Sequence, residues 1–185
     1  MFVIPGEGIG GNVAEWSRLV AELVQERGAE LHRYGFLLCG DRMEAADLVQ
    51  EALVRVFSRP RRAWELGEAE AYVRRTMLNR YLDLHRRRAR WIRALPRLVS
   101  TAPVADHSTD VMHRIDLMDA MRGLSPRQRA CVVLRYYEDL STADIAARLG
   151  CGEGTVKRHL SDALARLGAR LRTRAHHVAE ERLET

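Results

Sequence analysis

The clearest chemical pattern in this sequence lies between residues 141 and 167. Ser141 with Asp144 predicts the start of a short helix that ends at Gly150. A long helix follows from about Glu153. A short helix, a tight turn and a longer helix are the proportions of a helix-turn-helix, so this segment is predicted to place its second helix in the major groove of DNA.

The second helix of that pattern carries side chains suited to such a groove. Basic side chains can reach phosphates or guanine edges, and a hydroxyl near the helix start can donate to a phosphate. The predicted DNA-binding residues are Thr155, Lys157, Arg158, His159 and Ser161. Gly154 lies in the first turn, where glycine costs about 1 kcal/mol relative to alanine. We expect the presence of glycine at this position to be explained by close packing against Ala146. The alternative interpretation of residues 141–167 is a helical hairpin with a solvated basic side.

A second group of charged residues fills the middle of the chain. Residues 55–97 carry thirteen arginines against four acidic residues, a net charge of +9, whereas residues 1–54 have a net charge of −5. A helix predicted from about Glu68 to Arg90 carries arginines around most of its circumference, where like charges repel. We therefore predict a polyanionic partner for the basic block and a protein partner for the acidic one, the alternative being solvated helix faces.

The sequence offers no assembled catalytic or metal site. A nuclease would need a carboxylate cluster for a metal, or a histidine oriented by a carboxylate. Asp106, His107 and Asp110 fall in a predicted linker with nothing rigid to hold them. Cys39, Cys131 and Cys151 lack zinc-ligand spacing and are expected to be buried thiols in a reducing cytoplasm. We expect no enzyme activity, no metal, no cofactor and no membrane segment.

Helical periodicity predicts an all-α protein of two small helical domains joined by a flexible linker. The predicted segments are a flexible tail 1–12, a first domain 13–94, a linker 95–109, a second domain 110–174 and a tail 175–185. Asp41 with Glu44, and Ser125 with Gln128, predict capped helix starts. The apolar face of the helix after Asp41 is predicted to be Met43, Ala46, Leu48, Val49, Leu53 and Val56.

Three stretches carry a resemblance to a known family. Residues 124–167, LSPRQRACVVLRYYEDLSTADIAARLGCGEGTVKRHLSDALARL, resemble the minus-thirty-five-reading domain of extracytoplasmic-function (ECF) sigma factors, nearest to the short actinobacterial subgroup. Residues 31–57, LHRYGFLLCGDRMEAADLVQEALVRVF, and 71–88, AYVRRTMLNRYLDLHRRR, resemble the promoter-melting domain and its minus-ten-reading helix. The first stretch alone is also similar to response-regulator DNA-binding domains, but no phosphoacceptor domain of alternating strands and helices is predicted.

The resemblance implies a transcription initiation factor that works on core RNA polymerase and promoter DNA, commonly under an anti-sigma factor, in the cytoplasm. It implies contacts from Asp47, Gln50 and Glu51 to the clamp helices of the polymerase's largest subunit. The residues implied in binding and melting the minus-ten element are Tyr72, Arg74, Arg75, Asn79, Asp83, Arg86, Arg87 and Arg88. The alternative function is a stand-alone helix-turn-helix regulator, which would bind duplex DNA without polymerase.

Some positions depart from the family pattern. Gly152 stands where a serine usually caps the recognition helix, and glycine caps only slightly less well. Arg158 and His159 replace a common serine and arginine, and Asp162 replaces a usual basic residue. These departures concern which minus-thirty-five sequence is read, and leave the predicted mode of binding unchanged.

Overall fold

Every regular element that the structure describes is an α-helix. The computed structural model describes residues 9–58, 64–94 and 112–181, with side chains over 16–58, 64–94 and 117–172. The helices are α1 (Ile9–Cys39), α2 (Arg42–Phe57), α3 (Leu66–Ala94), α4 (Met112–Arg122), α5 (Pro126–Tyr136), α6 (Thr142–Leu149) and α7 (Glu153–Glu181). The chain divides into two compact units, Met1–Tyr81 and Leu82–Thr185, with the division inside α3. The predicted all-α, two-unit architecture is confirmed.

The two terminal helices are longer than predicted. α1 begins at Ile9, within the segment predicted as an N-terminal tail, and α7 continues to Glu181, within the predicted C-terminal tail. Extending an existing helix is easier than nucleating one, and residues 173–181 contain neither glycine nor proline. The predicted linker 95–109 lies outside the described residues, as do positions 106, 107 and 110.

The first unit packs α1, α2 and the part of α3 up to Tyr81 around a shared apolar core. Asp41 caps α2 as predicted, its carboxylate accepting from the Glu44 N–H at 2.8 Å. At Gly35 in α1, an added Cβ would lie 3.2 Å from the Ala45 carbonyl oxygen and 3.2 Å from Met77 Cε. An alanine at position 35 would force its neighbours to shift by a few tenths of an ångström, so glycine suits the close approach of the three helices. The largest fully buried side chains of this unit are Leu23, Leu31, Tyr34, Leu38, Val73, Met77 and Leu78.

The second unit packs α4, α5, α6 and α7. Ser125 and Gln128 form the predicted capping box at the start of α5, with Pro126 in the first turn. The C-terminal end of α4 is held by Arg129, which is 5% exposed and donates from Nε and Nη2 to the Met121 carbonyl at 3.1 and 2.6 Å. α7 adds a bond from Arg170 Nη1 to the Asp119 carbonyl. Two arginines thus satisfy carbonyls that a helix end leaves without intrahelical partners.

The buried face of α2 differs from the predicted one. Met43, predicted in the apolar face of α2, is 74% exposed. The buried register of α2 runs through Ala45, Leu48, Val49, Ala52 and Val56, which puts position 43 on the opposite side.

The cysteines differ in their surroundings. Cys131 is buried, and burial raises the pKa of its thiol to about 11. Cys39 and Cys151 are only half-buried, although all three were expected to be buried. In the described part of the chain no group of three or more His, Cys, Asp or Glu side chains could hold a metal ion. No helix there is long and apolar enough to cross a membrane.

Candidate nucleic-acid interface

The helix-turn-helix of the second unit is built from α6, a tight turn and α7. Ser141 caps α6 by accepting from the Asp144 N–H at 3.1 Å. Gly150 ends α6 with φ 62, a left-handed conformation that favours glycine. The Cys151 N–H then donates to the Ala146 carbonyl at 3.0 Å, and the chain enters α7 at Glu153. Ile145 and Val156 are both fully buried, where α6 packs against α7.

The first three turns of α7 expose most of the predicted DNA-binding side chains. Thr155, Lys157, Arg158 and Ser161 are exposed and His159 is half-buried. The Arg158 side chain is 83% exposed and has one weak contact, 4.0 Å from its Nε to Asp162 Oδ2. This part of α7 therefore presents its cations to solvent and is free to enter a DNA groove.

Gly154 does not have the role expected of it. A Cβ built there would meet no heavy atom within 4 Å, so close approach of Ala146 does not require the glycine, and that expectation was wrong. Instead, Gly154 lines a concave surface together with Gln128, Thr155, Arg158, His159 and Asp162.

One face of α3 carries exposed residues of the predicted melting helix. Arg75, Asn79, Asp83 and Arg86 are exposed and follow one another at spacings of three and four, so they form one stripe along the helix. We call these four residues the α3 stripe. Within it Arg86 Nη2 lies 3.1 Å from Asp83 Oδ1. Arg87 and Arg88 are also exposed.

Other arginines of α3 contact the protein. Arg74, predicted to bind DNA, forms an ion pair with Glu70, and its guanidinium lies 5.7 Å from the centre of the Tyr34 ring. Its side chain is only 18% exposed. The reason is helical register: position 74 is close to the buried side of α3, one residue away from the stripe. The structure therefore gives Arg74 a stabilising contact within the protein, and its predicted contact with DNA stays a prediction.

Aromatic side chains of α1, α2 and α3 form a cluster near the start of α3. Trp16 contacts Phe57 and Trp64 with ring centroids 5.1 and 5.5 Å apart, and Trp64 contacts Tyr72 at 4.9 Å. The indole N–H of Trp16 donates to the Phe57 carbonyl at 3.3 Å. Tyr72, predicted to contact DNA, is 36% exposed at the edge of this cluster. Its ring is therefore held in place with part of its surface open to solvent.

The predicted polymerase-docking residues lie on the exposed face of α2. Asp47, Gln50 and Glu51 are all exposed. Glu51 differs from the other two because Arg80 of α3 donates to both its carboxylate oxygens, from Nε to Oε2 and from Nη2 to Oε1 at 2.8 Å. That hydrogen bonding holds the pKa of Glu51 below its usual value.

Two apolar residues on the same face were missed by sequence reasoning. Met43 is 74% exposed and Val54 is 63% exposed. Positions 43, 47, 50 and 54 repeat at helical spacing, so Met43 and Val54 flank Asp47 and Gln50 in one stripe. That spacing was visible in the sequence, but an apolar residue in a helix is assigned to the core by default. We call these four residues the α2 stripe.

Comparison with known proteins identifies both units. Residues 23–92 match the family model for Sigma-70 region 2, and residues 114–167 match that for Sigma-70 region 4. The RNA polymerase sigma-E factor of Streptomyces antibioticus is 41% identical over 154 residues, covering 83% of this chain and 84% of that protein. The ECF RNA polymerase sigma factor SigL of Mycobacterium tuberculosis is 32% identical over 164 residues, covering 86% and 92%. The chain belongs to the ECF sigma factors.

The solved structures agree in fold. The sigma factor RpoE, solved in complex with the anti-sigma factor NepR from Bartonella quintana, is 23% identical and aligns with a TM-score of 0.54 over 89% of this chain and 98% of that one. As an ECF sigma factor, the chain directs promoter-specific initiation of transcription by RNA polymerase. A stand-alone helix-turn-helix regulator would not account for region 2, which covers α2 and most of α1 and α3.

Proposed function

We propose that this ECF sigma factor divides promoter recognition among three exposed helix faces. The α2 stripe docks on core RNA polymerase, the α3 stripe binds and opens the minus-ten element, and the start of α7 reads the minus-thirty-five element. The observation that carries this proposal is that α2, α3 and the start of α7 each expose side chains in a row at helical spacing while another face of the same helix is buried. No catalysis by the chain itself is required.

The docking proposal rests on the chemistry of the α2 stripe. Two exposed apolar side chains, Met43 and Val54, flank a polar pair, Asp47 and Gln50. Protein interfaces commonly combine an apolar anchor with polar groups that fix orientation. Glu51 lies beside the stripe, and its carboxylate is held in place by Arg80. It can therefore add a second acidic contact at a small cost in side-chain conformational entropy.

The melting proposal rests on the α3 stripe. Opening a duplex requires unstacking, which costs a few kcal/mol per step, and capture of an unstacked base in a polar site offsets that cost. Asn79 and Asp83 offer donors and acceptors for a base, while Arg75 and Arg86 lie beside them to hold the backbone. Arg87 and Arg88 extend the positive surface past the stripe, and the partly exposed Tyr72 ring offers a stacking surface.

In the minus-thirty-five proposal, Lys157 and Arg158 contact guanine edges and phosphates, and Thr155, His159 and Ser161 complete the face. We further infer that the chain works in the cytoplasm with core polymerase. We also propose that an anti-sigma factor controls it, because a solved structure of the same fold is a sigma factor in complex with an anti-sigma factor.

The experiment that tests the division of labour uses the full chain with sigma-free core polymerase. Arg75→Ala and Asn79→Ala should bind core polymerase like the wild type but open the minus-ten region less, since both side chains belong to the exposed α3 stripe. Co-migration with core measures binding, and permanganate reactivity of unpaired thymines measures opening. Arg33→Ala removes an exposed arginine of α1 and is the matched control. Normal opening combined with lost core binding in both variants would refute the proposal.

A further inference from the structure

Arg80 of α3 connects the helix proposed to open the promoter with the helix proposed to dock on polymerase. It follows Asn79 directly and precedes Asp83 by three residues, yet it belongs to neither the α3 stripe nor the α2 stripe. Its guanidinium donates from Nε to Glu51 Oε2 and from Nη2 to Glu51 Oε1, the latter at 2.8 Å. Because Glu51 lies beside the α2 stripe, this ion pair joins the two proposed interaction faces.

The two partners of the pair differ in their access to solvent. The Arg80 side chain is 26% exposed, whereas that of Glu51 is 49% exposed. The arginine thus lies on the inner side of the pair and the carboxylate on the outer side. Each Glu51 oxygen accepts one hydrogen bond from Arg80, while a carboxylate offers about four lone-pair positions. A donor from another protein can therefore bind Glu51 while Arg80 stays in place.

Stability alone is a weak reason for such a pair. Partly exposed ion pairs add little to the free energy of folding, because ordering two long side chains offsets most of the attraction. The backbones of α2 and α3 approach each other at few points. A long side chain that bridges the two helices therefore helps to fix the position of one relative to the other near Glu51.

Asp47, in the α2 stripe, lacks this support. It is also exposed, but its carboxylate makes no hydrogen bond or ion pair with any residue in the described part of the chain. It must lose side-chain freedom when it binds a partner, which weakens the contact. Glu51 has already lost that freedom in the free protein. Arg80 therefore makes Glu51 the more preorganised of the two acidic groups.

We propose that Arg80 is a positioning residue for docking on core polymerase, and that its pair with Glu51 couples docking to promoter opening. A polymerase group that binds Glu51 holds the carboxylate, which in turn holds Arg80. Arg80 then fixes the turn of α3 that carries Asn79 and Asp83. Such coupling is reciprocal, so opening also strengthens docking. The inference rests on the proposed roles of the α2 and α3 stripes and adds the residue that connects them.

A double-mutant cycle tests whether Arg80 acts through Glu51. Arg80→Gln should weaken binding of the full chain to sigma-free core polymerase about fivefold, the effect of releasing one ordered side chain. Glu51→Gln should weaken it at least as much, and adding Arg80→Gln to Glu51→Gln should change nothing further. The control is Arg27→Gln, which breaks an ion pair between α1 and Glu70 of α3 without touching α2 and should leave core binding unchanged.

Exchange of the two residues separates positioning from stability. Glu51→Arg combined with Arg80→Glu can form the ion pair in the reverse direction, so urea unfolding should resemble that of the wild type. The exchange presents a cation to the polymerase in place of the carboxylate, so core binding should fall at least as far as in Glu51→Gln. Recovery of wild-type core binding in the exchanged protein would show that the pair is only structural and would overturn the proposal.

The coupling is tested by permanganate reactivity of the minus-ten region at saturating core polymerase. Arg80→Gln and Glu51→Gln should lower opening by a similar factor, about fivefold, because either change breaks the same connection. Normal opening in both variants would overturn the coupling. Wild-type core binding by Arg80→Gln, or additive losses in the double variant, would overturn the positioning role and leave the docking role of Glu51 intact. If Glu51→Gln also bound core like the wild type, the proposed contact of Glu51 with polymerase would fail as well.

Discussion

α3 and α7 are both arginine-bearing helices in the regions of a sigma factor that meet promoter DNA, yet they use their charges differently. In α3, Arg74 pairs with Glu70, Arg80 with Glu51, and Arg86 with Asp83. In the first turns of α7, by contrast, Arg158 is 83% exposed and its nearest carboxylate is 4.0 Å away. α3, which has more arginines than α7, thus uses more of them in ion pairs within the protein.

The difference follows from how the two helices are packed. α3 contacts both α1 and α2, so residues on several sides of its first part meet protein. From Arg86 to Ala94, by contrast, all of its residues are exposed. The start of α7 rests on α6 and α5 through a few residues such as Val156, and the rest of its circumference is exposed. Charge density along a sequence therefore overestimates the DNA-binding surface of a helix that lies inside a bundle.

The neighbouring residues Arg74 and Arg75 provide the strongest test of this contrast. Arg74→Ala should lower the free energy of unfolding of the first unit by about 2 kcal/mol, because it removes a largely buried ion pair and the contact over the Tyr34 ring. Arg75→Ala should leave stability within about 0.5 kcal/mol of the wild type, as for an exposed surface residue. Urea unfolding measures both. Equal destabilisation by the two variants would contradict the inference that Arg74 stabilises the fold and Arg75 does not.

On α7 the effect should fall on DNA affinity. Arg158→Ala should weaken binding of the holoenzyme to its minus-thirty-five duplex about tenfold and relax selectivity at one position, because each bidentate base contact is worth about 1–3 kcal/mol. The unfolding temperature should not change, since the contact to Asp162 is long and exposed. Arg166→Ala, another exposed arginine two turns further along α7, is the control. A drop in stability without a loss of DNA affinity would show that Arg158, like Arg74 and Arg80 of α3, stabilises the fold and does not bind DNA.

The smallest expected effect concerns the pair between Arg80 and Glu51. The hydrogen bond from Arg80 lowers the pKa of Glu51 below its value in the unfolded chain. The pair therefore stabilises the fold above that unfolded-state pKa, and the stabilisation is lost as the pH falls through the lowered value. Because the pair is partly exposed, Glu51→Gln should cost less than about 1 kcal/mol at neutral pH. The difference between wild type and variant should disappear in strong acid.

Urea unfolding at several pH values measures this difference, with Glu22→Gln, an exposed residue of α1, as the control. A difference that stayed constant down to low pH would mean that the charge of Glu51 contributes nothing to stability.

Several features were predictable from the sequence because they depend on local chemistry. Asp41, Ser125 and Ser141 cap α2, α5 and α6 as predicted, since a side-chain oxygen needs only the N–H three residues ahead. The helix-turn-helix followed from the position of Gly150 and from apolar periodicity. The resemblance of residues 31–57, 71–88 and 124–167 to ECF sigma factors supplied the function, and the comparisons confirmed it.

What the sequence alone determined is therefore the set of helices, their caps and the family. Only the tertiary structure decided which charged residues are available, because ion pairs such as Arg80 with Glu51 join residues 29 positions apart. It also decided that Met43 faces solvent and that Gly154 borders open space beside the buried amide of Gln128. Helical periodicity defines faces of a helix, but which face is covered depends on the neighbouring helices, and their positions are set by packing of the whole unit.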